Sequence, residues 1–93
     1  MANNNLINKA NSLNTPNTRW RQFRSCQAWV SDAVADRYRL IKSYRTIVAM
    51  VDTEEHIVFE FGKYSTTTSK QVTQIINSMF SGYTRELLDE TNW

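Results

Sequence analysis

Few side chains in this sequence could carry out covalent or acid–base chemistry. Cys26 is the single cysteine and His56 the single histidine, and a nucleophile–base pair would need both of them together with a third, orienting group. No local signature around either residue indicates such a pair. His56 directly follows Glu54 and Glu55, which is typical of an exposed, ion-paired histidine. We therefore predict that the protein is not an enzyme.

Metal and cofactor sites are not predicted either. Acidic side chains and the histidine cluster between residues 52 and 56, but without the regular alternation and the glycine of a calcium loop. Gly62 and Gly82 are the only two glycines, so no glycine-rich loop can surround a phosphate group. The sequence thus predicts no metal and no cofactor.

A run of hydroxyl residues, 65–69, leads into Lys70 where a helix is predicted to begin. Free backbone amides at a helix N-terminus, together with hydroxyl groups and a lysine, can bind an anion. The same hydroxyl groups can instead cap the helix and satisfy the preceding loop, and we favour this structural role. Thr68, Ser69 and Lys70 are retained as a candidate anion site.

Charge is divided unevenly along the chain, although the net charge is only +2. Residues 1–45 carry eight basic and two acidic side chains, whereas residues 46–93 carry three basic and seven acidic ones. The two halves can neutralise each other within the fold or across a homo-oligomer. Alternatively, one of them forms a basic face for nucleic acid, or the other an acidic face that imitates it.

The basic candidate surface begins in the segment 19–24, where cations alternate with aromatic residues. Such a surface can bind phosphates with salt-sensitive, sequence-independent affinity. The alternative is a solvated face whose arginines pair with the acidic residues near the C-terminus. The candidate nucleic-acid-binding residues are Arg19, Arg21, Arg24, Arg37, Arg39 and Lys42.

The acidic candidate surface could occupy a nucleic-acid channel of another protein through charge complementarity, with Trp93 or Tyr83 as an aromatic anchor. The candidate partner-binding residues are Glu54, Glu55, Glu60, Glu86, Asp89, Glu90 and Trp93.

Residues 1–18 are rich in asparagine and read as a flexible arm, because little of this segment could be buried to offset the cost of ordering it. Residues 19–93 form a single small domain. Trp20 and Phe23 are spaced as on one face of a helix, which predicts a short helix over 16–25. The structure of 26–35 is left open between helix and strand.

Three patterns define the centre of the domain. Residues 38–44 read as a strand, and 46–51 as a central strand because this run is apolar on both faces. A polar turn at 52–55 then leads to residues 56–61, whose alternation places Ile57, Phe59 and Phe61 on one face. Two of these strands form a hairpin.

A helix over about 69–81 follows. Thr68 and Gln71 fit a capping box at its start, and Gly82 stands where a left-handed residue would end it. One apolar stripe from Val72 to Phe80 would pack on the hairpin. Tyr83 to Leu88 reads as a further short helical piece. The predicted class is α+β, with an antiparallel sheet of two to four strands and the helix packed on one face.

Two segments, SYRTIVA at 43–49 and YSTTTSK at 64–70, resemble a small uncharacterised domain of phages and mobile elements. In that group a strand with the first motif is followed by a second strand and then by a helix that the other motif begins. The resemblance covers roughly residues 38–80. Such domains continue with a histidine where this chain has Gln71, so no histidine site carries over.

The resemblance implies a phage or mobile-element context, in which small binding proteins disable host machines. The leading hypothesis is therefore an inhibitor of a host defence factor, such as an anti-CRISPR protein, acting by protein–protein occlusion. The alternatives are a nucleic-acid-binding accessory protein and a homo-oligomeric module, such as a dimer formed through a sheet edge. No segment is long and apolar enough to span a bilayer, and the expected location is the cytoplasm of the host cell.

Overall fold

The computed structural model describes residues 2–24, 27–62 and 66–87. Two helices and six strands follow one another in these residues. Their bounds are α1 Ala2–Leu13, β1 Trp20–Gln22, β2 Ala28–Ser31, β3 Tyr38–Ser43, β4 Thr46–Asp52, β5 Ile57–Glu60, α2 Thr66–Met79 and β6 Thr84–Leu87.

The strands form one sheet in which spatial order follows chain order, from β1 at one edge to β6 at the other. Strands β1 to β5 are antiparallel neighbours, and β6 joins β5 in parallel after the crossover through α2. This arrangement confirms the α+β class. The prediction of two to four antiparallel strands is wrong, because β1, β2 and β6 extend the central hairpin into a six-stranded mixed sheet.

A helix covers each face of the sheet. The larger cluster of buried side chains joins α2 to one face through residues such as Val72, Ile75 and Val58. The smaller cluster joins α1 to the other face through Ala10 and Met50. We refer to these as the α2 side and the α1 side of the sheet.

The central strand β4 contributes to both clusters. Met50 faces α1, while Val48, Ala49 and Val51 face α2. The register changes between the pairs Ile41–Ala49 and Lys42–Ile47, so Val48 is an extra residue in β4, as in a β-bulge. The prediction of a central strand that is apolar on both faces is confirmed.

The N-terminal segment differs from the predicted arm at 1–18, since residues 2–13 form α1. Its apolar residues Leu6, Ala10 and Leu13 recur at helical spacing and pack on the sheet, and Ala10 is fully buried. Burial of this stripe against the α1 side offsets the low helix propensity of the many asparagines.

The helix predicted over 16–25 is replaced by strand β1. A helix would bring Trp20 and Phe23 to the same face, but in the structure Trp20 packs in the α1-side cluster and Phe23 in the α2-side cluster. Pairing with β2, which occupies part of the segment left open at 26–35, fixes the extended conformation. The backbone amide of Phe23 continues the ladder to the carbonyl of Ala28 at 2.8 Å.

The helical piece predicted for Tyr83–Leu88 is also wrong, because residues 84–87 pair with β5 as strand β6. Helix α2 occupies 66–79 rather than 69–81. The capping box is not formed: Thr68 lies inside the first turn, and the side-chain carbonyl of Gln71 has no hydrogen-bond partner among the described residues.

Candidate functional site

Two tryptophans and a lysine meet on the α1 side of the sheet, and we call Trp20, Trp29 and Lys42 the tryptophan–lysine cluster. Cross-strand pairing aligns Trp29 with Lys42, and Lys42 with Ile47, on a single face. The Nζ atom of Lys42 lies 4.3 Å from the ring centre of Trp20 and 5.6 Å from that of Trp29. One ammonium group therefore lies above two indole rings.

The sheet positions each member of this cluster by strand alternation. Ala28 and Val30 are buried on the α2 side, so Trp29 between them points to the opposite face. Trp20 packs against the α1-side cluster, whereas Trp29 packs against neither cluster of buried residues. Trp29 is thus half-buried on the α1 side of the sheet, outside the cluster that packs against α1.

Among the described residues, the charges that form no ion pair are mainly positive. Several basic side chains of the described residues form no ion pair with a carboxylate: Lys9, Arg19, Arg24, Arg39, Lys42, Arg45 and Lys70. The corresponding acidic side chains are fewer, namely Asp36, Glu55 and Glu86. Strands β1 to β3 contain no carboxylate at all, so phosphate groups could approach the α1 side of these strands without local repulsion.

Three of the six predicted nucleic-acid-binding residues are engaged within the fold. Arg21 pairs with Asp32 at 3.0 Å, and Arg37 forms a two-pronged ion pair with Asp52. Arg39 donates to the carbonyl of Ser31 at 2.9 Å, and its guanidinium lies over the ring of Phe80.

The other three are Arg19, Arg24 and Lys42. Arg19 and Arg24 are exposed on either side of β1, and only Lys42 belongs to the tryptophan–lysine cluster. The structure therefore does not bring the predicted set together on one surface.

Asp52 is the most strongly bound acidic side chain at the turn between β4 and β5. Its carboxylate accepts hydrogen bonds from Arg37 at 2.9 and 2.7 Å and from the backbone amides of Glu54 and Glu55. The hydrogen bonds from Arg37 lower the pKa of Asp52 from 3.8 to about 2. In return, the hydrogen bond with Asp52 raises the pKa of Arg37 above its ordinary value.

The predicted acidic surface is partly neutralised. Glu60 forms a two-pronged ion pair with Arg85 at 2.7 and 2.8 Å, and this hydrogen bonding raises the pKa of Arg85. Glu54 lies 3.6 Å from Arg37. Glu55 and Glu86 are exposed at the β4–β5 turn and on β6. The remaining predicted residues, Asp89, Glu90 and Trp93, lie outside the described residues.

The candidate anion site is divided by the fold. Thr68 is buried, and its hydroxyl group lies 3.2 Å from that of Ser43, so it connects α2 to β3 rather than facing solvent. Ser69 and Lys70 are exposed in the first turn of α2. Of the three residues predicted as an anion site, the side chain of Thr68 is used for packing, and only Ser69 and Lys70 face solvent.

The residues considered for catalysis are not assembled into a site. His56 is exposed in the β4–β5 turn, where its ring lies 4.9 Å from that of Tyr83, and Cys26 lies outside the described residues. Among the described residues, no group of three or more histidine, cysteine or acidic side chains could hold a metal ion. Neither described helix is long and apolar enough to cross a membrane.

Sequence reasoning did not identify Trp29 and Arg45 as site residues. The signal for Trp29 was available in the strand alternative for 28–30, since alternation would have turned its ring away from Ala28 and Val30. Its contact with Lys42 depends on the register between β2 and β3, which has no local signature.

The model of the DUF8033 family, described as a family of unknown function, matches residues 2–90 of the chain. The match covers both helices and all of the strands described above. No curated protein and no solved structure matches the chain.

Proposed function

We propose that the chain, which belongs to the DUF8033 family of unknown function, binds single-stranded nucleic acid through the tryptophan–lysine cluster. The observation that carries this proposal is the position of Lys42 above the rings of Trp20 and Trp29, on strands β1 to β3, which contain no carboxylate. Proteins that bind single strands combine aromatic side chains, on which bases stack, with cations that follow the phosphates.

Each group of the cluster has a separate role in this proposal. Trp29 is half-buried and packs against neither core cluster, so its ring can stack on a base without disturbing the fold. The cation–π contacts that Lys42 makes in the free protein are worth only about 0.5–1 kcal/mol at such a site. Lys42 can therefore leave the rings and bind a phosphate when a base takes its place.

Charge pairing within the fold supports nucleic acid as the ligand. The ion pairs at Asp32, Asp52, Glu54 and Glu60 leave mostly cations without a carboxylate partner in the described part of the chain. Arg19 directly precedes β1 and Arg45 lies in the β3–β4 turn, so exposed cations lie at the ends of strands that carry the cluster. These side chains would bind the strand on either side of the stacked base.

The test is a fluorescence anisotropy titration with labelled oligo(dT) and oligo(rU) over a series of salt concentrations. We expect Lys42→Gln to weaken binding and to lower the slope of log Kd against log salt by about 0.7, the value for one phosphate contact with a single strand. Trp29→Leu should weaken binding about tenfold or more with an unchanged slope, because stacking is worth about 1–3 kcal/mol per base.

Lys70→Gln is the matched control, since it removes the same charge from an exposed position in α2, on the other side of the sheet. It should leave both affinity and slope unchanged. Absence of binding at low salt would refute the proposal, as would equal effects of the Lys42 and Lys70 substitutions. Circular dichroism shows whether each variant is folded.

A second candidate function is occlusion of a host nucleic-acid machine, and the exposed edge strand β6 favours it. All four residues of β6 are exposed, with Leu87 at 47%, and Glu86 adds a negative charge there. An open edge of this kind can accept a strand of a host protein, as in an anti-CRISPR type of inhibitor. The homodimer prediction depends on the same edge and is tested by light scattering.

Charge reversal tests this second function. If the acidic residues bind a host protein, Glu55→Lys and Glu86→Lys should abolish its capture from a lysate, while Asp36→Lys, at an exposed turn, should not. Capture that is unaffected by all three substitutions would exclude an acidic binding surface.

A further inference from the structure

An open cleft lies next to the tryptophan–lysine cluster, between α1 and the β3–β4 turn. Its volume is about 360 Å³, within the range of about 300–1,000 Å³ that ligand pockets occupy. Ile47 and Phe61 form part of its apolar wall. Its polar side chains come from the end of α1 and from the turn: Asn11, Asn14, Arg45 and Thr46. We call this the amide cleft.

Strand register places the amide cleft beside the cluster. Lys42 has Trp29 as its cross-strand partner on one side and Ile47 on the other, and Ile47 lines the cleft. Cross-strand partners are about 5 Å apart, so Trp29 and the cleft wall are separated by roughly two strand spacings.

The polar groups of the amide cleft have unused hydrogen-bonding capacity. Among the described residues, the side-chain amides of Asn11 and Asn14 have no hydrogen-bond partner, and Arg45 forms no ion pair. A primary amide both donates and accepts, so it can match the edge of a nucleobase, whereas a guanidinium group binds phosphate. Phe61 and Ile47 provide the apolar contact that a base needs for its faces.

We propose that the amide cleft receives one nucleobase of the bound strand, which Asn11 and Asn14 recognise at its hydrogen-bonding edge while Arg45 binds the neighbouring phosphate. This inference rests on the proposed single-strand binding and adds base preference to it. Unstacked bases of single strands are commonly recognised in this way, through their Watson–Crick or Hoogsteen edges.

The first experiment uses mononucleotides and needs no strand binding. The ¹⁵N–¹H NMR signals of the Asn11 and Asn14 side-chain amides are followed during titration with AMP, CMP, GMP, UMP and ribose 5-phosphate. We expect these signals to shift with one or two of the nucleotides and not with ribose 5-phosphate. Shifts that are absent, or equal for all five compounds, would overturn the inference, since the cleft would then be unused or a phosphate site only.

The second experiment measures base preference in a strand. In this series, the central thymine of oligo(dT) is replaced by adenine, cytosine or guanine. We expect the Kd of the best and the worst of these strands to differ by about tenfold or more, because one well-placed amide contact is worth about 1–3 kcal/mol. The Asn11→Ala/Asn14→Ala variant should lose this preference. It should bind every strand with the affinity that the unsubstituted protein has for the least favoured one. The Asn77→Ala control, at an exposed position of α2, should retain it.

The outcomes separate the two proposals. Strand binding without any base preference would refute the amide cleft and leave the tryptophan–lysine cluster standing. Mononucleotide shifts without strand binding would refute single-strand binding and support the cleft alone.

Discussion

At the residue scale, Asp52 holds the ends of β3 and β4 together. Its carboxylate is 7% exposed and is bound by the guanidinium of Arg37, which is itself 34% exposed. The same carboxylate fixes the β4–β5 turn by accepting two backbone amides. Such a group stabilises the fold only while it is ionised.

Acid should therefore weaken the fold over a defined range of pH. The folded-state pKa of Asp52 is about 2 and its ordinary value is 3.8, so its contribution is complete above pH 4 and is lost as the pH falls from about 4 to about 2. We expect Asp52→Asn to lower the free energy of unfolding at neutral pH by about 2 kcal/mol and to flatten this acid dependence. Urea unfolding between pH 7 and pH 2 measures both effects.

Asp36→Asn is the control for this prediction, because Asp36 is exposed and forms no ion pair with the described residues. It should change neither the stability at neutral pH nor its acid dependence. If Asp52→Asn behaved like Asp36→Asn, the ion pair with Arg37 would contribute nothing to stability.

At the element scale, the turn between β2 and β3 is strained at two consecutive residues. Ala35 and Asp36 have φ values of 55° and 56°, and the amide of Arg37 closes the turn to the carbonyl of Val34 at 3.2 Å. These φ signs are those of a type I′ turn, for which glycine and asparagine are preferred. Alanine in this conformation costs about 1–2 kcal/mol because of its Cβ atom.

We expect Ala35→Gly to stabilise the protein slightly, by up to about 1 kcal/mol, since relief of this strain exceeds the added entropy of the unfolded chain. That corresponds to an increase in Tm of up to about 8 °C in a chain of this size. Thermal unfolding by circular dichroism measures it. Ala33→Gly, at an exposed alanine without positive φ, should instead lower Tm. A decrease at position 35 as large as that at 33 would show that the turn is not strained.

At the scale of the whole molecule, the sheet is stable only when both of its faces are covered. Leu40, Met50 and Phe61 form the α1-side cluster with Ala10, and without α1 they would face solvent. The N-terminal helix also carries Asn11, and Trp20 packs in the cluster that it covers, so folding and the proposed binding site depend on the same element.

A charge buried beneath α1 should therefore be costly. Ala10→Asp places a carboxylate at a fully buried position and should destabilise the protein by about 2–4 kcal/mol, whereas Asn8→Asp, exposed on the same helix, should cost little. Chemical denaturation of the two variants makes the comparison. Similar stability of both would mean that residues 1–18 behave as the predicted arm and not as a packed helix.

The sequence by itself determined the α+β class, the β3–β4–β5 core and the position of α2 to within a few residues. These segments have periodicity strong enough to be read locally, because the hydrophobic faces of β5 and α2 repeat every two residues or every three to four. It also showed that the chain has a single cysteine and a single histidine.

Only the tertiary structure decided the remaining elements and the site. Strands β1 and β6 are each four residues or fewer, and pairing with a neighbouring strand, not local propensity, makes them extended. The candidate residues were separated because an ion pair engages Arg37, a hydrogen bond to a backbone carbonyl engages Arg39, and packing buries Thr68. The register of β2 against β3 placed Trp29 beside Lys42, and register is a long-range property that sequence spacing does not encode.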